Sequence, residues 1–335
     1  MAEPFQSRPI LTDRFHRTHN YLRISLTDNC DLRCTYCMPE EDHAVTPSAR
    51  LLQPVEIECI ARIFTSLGVN KIRLTGGEPL IRKDAADIIG RLAQLPVVLT
   101  LTTNGTRLHQ YTELLSACGI RSLNISLDTL DPDRFLLMTR RNLFAQVKSN
   151  IDEMVALGFQ VKVNTVVMKG VNDDELEAFI RWTRNLPIHV RFIEFMPFTG
   201  NRWQPEKVLG WQQILERATS AFDIRPLGRD THGTAKKYAV NGHLGTFAVI
   251  STMTAPFCGD CNRLRLTADG KMKNCLFSPS ETDLLTAYRN GEDIIPLIQA
   301  NVRDKRESLG GQFTAGPQQV DATQIENRSM ISIGG

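Results

Sequence analysis

Between residues 21 and 197 the chain repeats one pattern: a short run rich in β-branched residues, then an amphipathic stretch. The strand candidates are residues 22–27, 71–75, 97–102, 122–127, 160–167 and 190–195. The stretches between them, 54–67, 85–95, 108–118, 143–157 and 174–184, carry helical periodicity, and several stop at a glycine, as at Gly68, Gly119 and Gly158. Strand–helix repeats of this kind imply parallel pairing through right-handed crossovers. Six units fall short of the eight that close a barrel. The sequence therefore predicts an α/β fold, an incomplete (β/α)6 barrel of TIM type, with functional loops at the C-terminal ends of its strands.

The pattern changes near residue 198. Residues 202–223 contain one helix, and 235–251 read as a hairpin turning near Asn241-Gly242. A cysteine-bearing stretch spans 258–275, helical segments run to about Lys305, and the polar remainder reads as irregular. This layout predicts two parts: a barrel over residues 1–200 and a smaller α+β module over 201–335, ending in Gly334-Gly335.

A net charge of +2 does not suit a nucleic-acid binder, whose basic residues are more numerous and clustered. No run of apolar residues is long enough to span a membrane, and residues 1–7 lack the basic start and apolar stretch of a signal peptide. The expectation is a cytoplasmic protein, where the eight cysteines are poor disulfide candidates and better metal ligands.

Six of those cysteines form two groups of three: Cys30-x3-Cys34-x2-Cys37 after the first strand, and Cys258-x2-Cys261 with Cys275. Structural zinc takes four ligands, and each group supplies three thiolates. A [4Fe–4S] cube on three cysteines fits better, since its fourth iron stays open to a small molecule. Cys59 and Cys118 stand alone on helical stretches and read as buried small hydrophobes.

Cys30-x3-Cys34-x2-Cys37, with Tyr36 beside the last thiol and Thr75-Gly76-Gly77-Glu78-Pro79 after the second strand, resembles the radical S-adenosylmethionine superfamily. That resemblance implies a partial (β/α)6 barrel and a cluster whose open iron binds S-adenosylmethionine. One electron then releases methionine and a 5′-deoxyadenosyl radical, which abstracts hydrogen from a substrate.

Basic residues interrupt the apolar strands: Arg23, Lys71, Arg73, Lys162 and Arg191. Lys71 and Arg73 alternate and so share a face, as do Arg263 and Arg265. Buried cations are costly unless paired or bound to an anion, so cations sharing one barrel suggest a multiply charged ligand. No Gly-x4-Gly-Lys-Ser/Thr loop is present to bind phosphate instead.

Lys71-Ile-Arg73, Leu101-Thr-Thr-Asn-Gly105, Asn124-Ile-Ser-Leu-Asp128, Lys162-Val-Asn164, Arg191-Phe-Ile-Glu-Phe-Met196, Phe257-Cys258 and the terminal Gly334-Gly335 narrow the resemblance to the GTP 3′,8-cyclase family. It implies that Cys30, Cys34 and Cys37 hold the radical-generating cluster, while Cys258, Cys261 and Cys275 hold a second [4Fe–4S] cluster meeting the guanine base. Tyr36, Gly77, Ser126 and Met196 would contact S-adenosylmethionine. Arg23, Arg73, Thr102, Lys162, Arg263, Leu264 and Arg265 would bind GTP, joined by Lys71, Arg191, Gly334 and Gly335.

The implied product is 3′,8-cyclo-7,8-dihydroguanosine 5′-triphosphate, formed when hydrogen leaves ribose C3′ and that carbon attacks guanine C8. The implied partners are a flavodoxin- or ferredoxin-like electron donor and the next pathway enzyme, cyclic pyranopterin monophosphate synthase, with no nucleic acid and no membrane, for a monomer or homodimer. A peptide-modifying maturase with an auxiliary cluster is the alternative within enzymes, and a two-cluster electron carrier the alternative outside them. The strand cations argue against the first, and the three-cysteine groups against the second.

Two such groups predict about eight irons per chain after anaerobic reconstitution. Replacing Cys30, Cys34 and Cys37 with Ala should leave about four irons, by iron and sulfide analysis, and no S-adenosylmethionine cleavage. Zinc alone at the second group would refute the two-cluster reading.

Overall fold

The computed structural model describes residues 10–38, 45–313 and 320–334. At its centre are β1 (Tyr21–Ser25), β2 (Lys71–Thr75), β3 (Val98–Thr103), β4 (Ser122–Ser126), β5 (Gln160–Val167) and β6 (His189–Glu194), paired parallel in chain order. Between them run α1 (Pro54–Ser66), α2 (Ala85–Leu92), α3 (Thr112–Ala117), α4 (Pro132–Thr139), α5 (Phe144–Ala156) and α6 (Leu176–Trp182). The six strand–helix units of the incomplete barrel are all present.

Each helix forms for local reasons and is held by what it buries. In α1, Pro54 opens the helix, Glu56 caps it through the Gln53 amide, and Ile57, Ile60, Ala61 and Phe64 recur at helical spacing on the buried face. The strands alternate. In β5, Val161, Val163, Thr165 and Val167 turn toward the buried layer, leaving Lys162 and Asn164 on the opposite face. Each fully buried aliphatic side chain stabilises the fold by about 1.5–3 kcal/mol, and dozens are present.

The sequence reading leaves α4 unassigned. Here Asp131 caps the helix by accepting from the Arg134 amide at 2.8 Å, and Pro132 occupies the first turn, where its missing N–H costs nothing. Cys59 and Cys118 are half-buried rather than buried.

Beyond residue 200 the chain does not stand beside the barrel. After α7 (Trp211–Ala221) and β7 (Ile224–Pro226), the hairpin of β8 (Ala235–Val240) and β9 (Thr246–Ile250) lays β9 parallel against β6. At the other edge, β10 (Arg263–Leu266) lies parallel to β1, followed by the antiparallel β11 (Lys271–Lys273) and β12 (Thr282–Asp283). The division near residue 200 is one of sequence pattern, while one sheet of 12 strands runs through it.

After α8 (Leu284–Arg289) and α9 (Ile295–Arg303), the end of the chain is not wholly irregular: it forms α10 (Met330–Ile333), with Ile331 and Ile333 buried. Four residues are too few for a periodic signal, so nothing in the sequence marked it.

The loops after β1 and β2 are fastened backbone to backbone. Gly77 N donates to Thr27 O at 2.7 Å, and Glu78 N to Asn29 O at 2.8 Å. A Cβ on Gly77 would stand 2.2 Å from the Asn29 carbonyl oxygen. Gly77→Ala should therefore part these loops and lower stability by roughly 1–3 kcal/mol, as forced overpacking does. Denaturant unfolding of the two proteins checks this, and equal midpoints would refute the fastening.

Candidate active site

The strand register sets basic side chains side by side. Arg265, Arg23 and Arg73 are direct neighbours across β10, β1 and β2, and Lys71 and Arg263 flank Tyr21 one layer away. Neighbouring strands are about 4.8 Å apart, so these charges repel at close range. Lys162 stands beside Asn124 and His189, and Arg191 beside Asn164.

They line two adjoining cavities. One is bounded by Arg23, Arg191, Arg263, Arg265, Asn124, Asn164 and the thiols Cys258, Cys261 and Cys275. The other adds Tyr21, Lys71, Arg73, Lys162 and His189, and its one lining carboxylate, Asp230, is engaged by Lys237 at 2.7 Å. Residues from opposite ends of the strand order meet here, so the sheet curls around a shared lumen.

Arg73, Arg263 and Lys162 have neutral partners. Arg73 donates to the Tyr21 hydroxyl at 2.6 Å and the Leu101 carbonyl at 2.9 Å. Arg263 donates to the His232 carbonyl at 2.9 Å, and Lys162 approaches Ser122 Oγ at 3.4 Å. Arg191 Nε and Nη2, with Asn124 Oδ1 and Asn164 Oδ1, are buried without a hydrogen-bond partner.

Burial and mutual repulsion weaken proton affinity throughout. Burial, then Arg265, pulls Arg23 well below its usual range. Burial and Arg73 bring Arg191 down to about 9, while burial and Arg191 bring Lys162 down to about 8. Burial, with Arg191 and Lys162, drops His189 to about 3, so its imidazole is neutral. Burial alone would raise the Tyr21 phenol, but Arg73 and Arg23 outweigh it and hold it down to about 7. An anion in the lumen would relieve every one of these strains.

Cys30, Cys34 and Cys37 occupy the loop after β1. The Cys37 and Met38 amides donate to the Cys34 carbonyl, and Arg33 donates to the Cys30 carbonyl. Asn104 Nδ2 lies 3.6 Å from Cys30 Sγ and 2.7 Å from Asp31 Oδ1. Burial, with Glu78 near Cys30 and Asp128 near Cys34 and Cys37, pushes all three thiols up, Cys37 to about 12. Three mutually close thiols in an acidic surround stay protonated unless a cation binds, which fits an iron–sulfur cube.

Cys258, Cys261 and Cys275 have a different environment. Lys305 Nζ lies 3.6 Å from Cys261 Sγ, Arg263 Nη1 lies 3.9 Å away, and the Leu309 amide donates to Cys258 Sγ at 3.5 Å. Burial would raise Cys261, but Lys305 and Arg263 bring it down to about 7. Burial raises Cys275. Arg17, paired with Asp13 at 2.6 Å, donates to the carbonyls of Cys258, Arg306 and Glu307 and clamps this loop.

The residues expected to contact S-adenosylmethionine all sit at the C-terminal ends of strands, with Tyr36 after β1, Gly77 after β2, Ser126 closing β4 and Met196 after β6. Met196 lines the cavity that the second thiol group borders, and the Tyr36 hydroxyl donates to Asp128 at 2.8 Å. Thr102 Oγ1 lies 3.4 Å from Arg73. Leu264 differs from its neighbours: its side chain is buried in the aliphatic core, away from the lumen. Gly334 O accepts from Arg265 Nη1 at 2.8 Å, while Gly335 lies outside the described residues.

Sequence reasoning missed Tyr21, Asn164, His189, Arg17 and Lys305. Asn164 and His189 were findable, since each alternates with a strand cation on one face. Arg17 and Lys305 lie outside the regular elements that carry such a pattern.

The family model for the Radical SAM superfamily matches residues 24–183, and that for Molybdenum Cofactor Synthesis C matches residues 188–310. The chain is 45% identical to GTP 3′,8-cyclase, mitochondrial, of Arabidopsis thaliana over 97% of this chain and 84% of the relative. It is 41% identical to the GTP 3′,8-cyclase of Rhodopirellula baltica over 97% of this chain and 92% of that one. Molybdenum cofactor biosynthesis protein 1 of Mus musculus is 45% identical over 99% of this chain, which spans 52% of that longer protein. Streptococcus suis SuiB bound to S-adenosylmethionine aligns with a TM-score of 0.58 at 17% identity, over 86% of this chain and 68% of SuiB, a likeness of fold.

The lumen's charge makes anion binding pH-dependent. As pH rises through about 7 and then about 8, Tyr21 gains a negative charge and Lys162 loses its positive one. Affinity for inorganic tripolyphosphate, measured by calorimetry, should fall across that window. Tyr21→Phe should remove the lower part of the fall and Lys162→Met the upper part. A flat profile for the unmodified protein would refute the assignment.

Proposed function

The chain belongs to the GTP 3′,8-cyclase family, and on that premise we propose that it converts GTP to 3′,8-cyclo-7,8-dihydroguanosine 5′-triphosphate, the first step of molybdenum cofactor biosynthesis. The observation that carries this reading is the lumen: basic side chains from β1, β2, β5, β6 and β10 converge there, and Arg73 and Arg263 among them have neutral partners. A triphosphate supplies several negative charges to one such site, and Arg binds phosphate oxygens in a fixed fork geometry.

Cys30, Cys34 and Cys37 would hold the first [4Fe–4S] cluster, with S-adenosylmethionine against Tyr36, Gly77, Ser126 and Met196. Cys258, Cys261 and Cys275 would hold the second. When bound, these groups supply the hydrogen-abstracting chemistry that joins ribose C3′ to guanine C8. The chain's own residues do the rest.

Arg23, Lys71, Arg73, Lys162, Arg191, Arg263 and Arg265 fix the triphosphate, with Thr102 beside Arg73. Asn124 and Asn164 offer buried, unpartnered carbonyl oxygens to substrate donors. Met196, Ile250, Phe257, Leu309 and Met330 form an apolar wall that keeps water from the reacting carbon. Neutral His189 adds no charge to the crowded cations. Among the described residues no helix is long and apolar enough to cross a membrane, and we place the reaction in the cytoplasm, with a flavodoxin- or ferredoxin-like protein as electron donor.

The peptide-modifying alternative shares its fold with SuiB, which has also been solved with a precursor peptide. The crowding of cations around one lumen favours a compact polyanion over a peptide. Anaerobic incubation with reductant, S-adenosylmethionine and each common ribonucleoside triphosphate decides between them. Formation of 5′-deoxyadenosine should depend on GTP. Arg265→Ala should lose about ten- to a hundred-fold in GTP affinity, the effect of a lost charge-assisted contact of about 1.5–3 kcal/mol, while both clusters remain. Equal 5′-deoxyadenosine with every triphosphate, or unchanged GTP affinity in both Arg263→Ala and Arg265→Ala, would overturn the reading.

A further inference from the structure

Lys305 is buried, 2% exposed, just beyond α9. Its ammonium approaches two groups: the Arg263 carbonyl at 3.0 Å and Cys261 Sγ at 3.6 Å. Among the described residues it forms no ion pair. Asp13, which lies in the same buried cluster, is engaged by Arg17 at 2.6 Å and by His19 at 3.1 Å. His19, 1% exposed, is driven down to about 4 by burial and then by Lys305, so it is neutral and offers no compensating charge.

A buried, unpaired ammonium is strongly destabilising. The groups within its reach that can carry negative charge are thiols of the second group, Cys261 in direct contact and Cys275 through its field. Lys305 lines neither lumen cavity, whereas Arg263 and Arg265 line the one that the thiols border. It therefore approaches Cys261 from within the protein and not from the lumen.

We propose that Lys305 is a positioning residue that raises the reduction potential of the group held by Cys258, Cys261 and Cys275. The proposal rests on the reading that these thiols carry a [4Fe–4S] cluster. Such a cluster gains negative charge on reduction, and a cation hydrogen-bonded to a ligating sulfur stabilises the reduced form. Removing that charge makes the cluster harder to reduce. Among the described residues no cation donates to a sulfur of the first thiol group: the side-chain donor near Cys30 Sγ is the neutral Asn104 amide. The two clusters are thereby set to different potentials, the second more easily reduced by this interaction.

The test is a potentiometric titration followed by electron paramagnetic resonance, using the full chain with Cys30, Cys34 and Cys37 changed to Ala so that one cluster remains. Lys305→Met should shift the midpoint to more negative potential. Lys305→Gln, which keeps a donor to sulfur without the charge, should shift it less. In chains with all six thiols, GTP affinity by calorimetry should be the same with and without Lys305. Loss of iron from Lys305→Met alone would support the same placement, and Lys305→Gln then gives the midpoint.

Equal midpoints in all three proteins, each holding about four irons, would overturn the proposal and leave the cluster reading intact. If the unmodified chain holds only about four irons, the cluster reading itself fails, and the proposal with it.

Discussion

The buried carboxylate of Glu78 organises the loops on which the rest of the site depends. It accepts hydrogen bonds from the Leu80 amide at 3.0 Å, the Thr103 hydroxyl at 2.8 Å and the Asn104 amide at 2.6 Å. The loop after β2 is thereby tied to the loop after β3. Asn104 and Thr106 in turn hold Asp31 at 2.7 Å, inside the first thiol group. Burial pushes Glu78 up to about 7 despite these donors, so the group is held in place against its own desolvation. Asp128 plays a like part between Tyr36 and the Val166 amide, and Glu194 between the Trp211, Met253 and Thr254 amides.

These acids and the lumen cations divide the barrel electrostatically. At the loop end, carboxylates are buried and satisfied by N–H and O–H donors, which fixes the backbone around the thiols. In the lumen, cations are buried side by side, and the register of β10, β1 and β2 prevents them from separating. The aliphatic layer between sheet and helices, packed with fully buried Leu, Ile and Val, offsets that repulsion. A fold with a smaller core would not hold such a lumen open to wait for an anion.

Much of this was legible in the chain. Strand–helix alternation carried the barrel, because a parallel sheet leaves a repeated pattern of long range. Thiol spacing marked the two cysteine groups. Strand cations were visible as breaches of apolar runs, and period-two alternation told which shared a face. What was not legible depends on contacts between distant segments. The joining of β9 to β6 and β10 to β1 leaves no local mark, so the C-terminal part read as a separate module. Leu264 sits between two site arginines and was grouped with them, although strand alternation turns its side chain to the core. Arg17 and Lys305 act on the second thiol group from segments 241 and 44 residues away in the chain.

The end of the chain shows how such a distant contact sets function-bearing geometry. Gly334 adopts φ 84°, a conformation other residues rarely take, and a Cβ there would stand 2.7 Å from Thr75 Oγ1 and 2.8 Å from Ser25 Cβ. Any side chain would force the tail off the ends of β1 and β2. Arg328, paired with Asp269 at 2.8 Å and Glu281 at 2.6 Å, anchors the approach to α10. Ile331 and Ile333 then bury against the barrel mouth. The tail therefore ends where it does because an ion-pair anchor, two apolar side chains and a glycine agree on one path. That path brings the Gly334 carbonyl to Arg265, one of the crowded lumen cations. A backbone oxygen is a weak substitute for a phosphate oxygen, so this contact occupies Arg265 without satisfying it, and a polyanion entering the lumen competes for it on favourable terms.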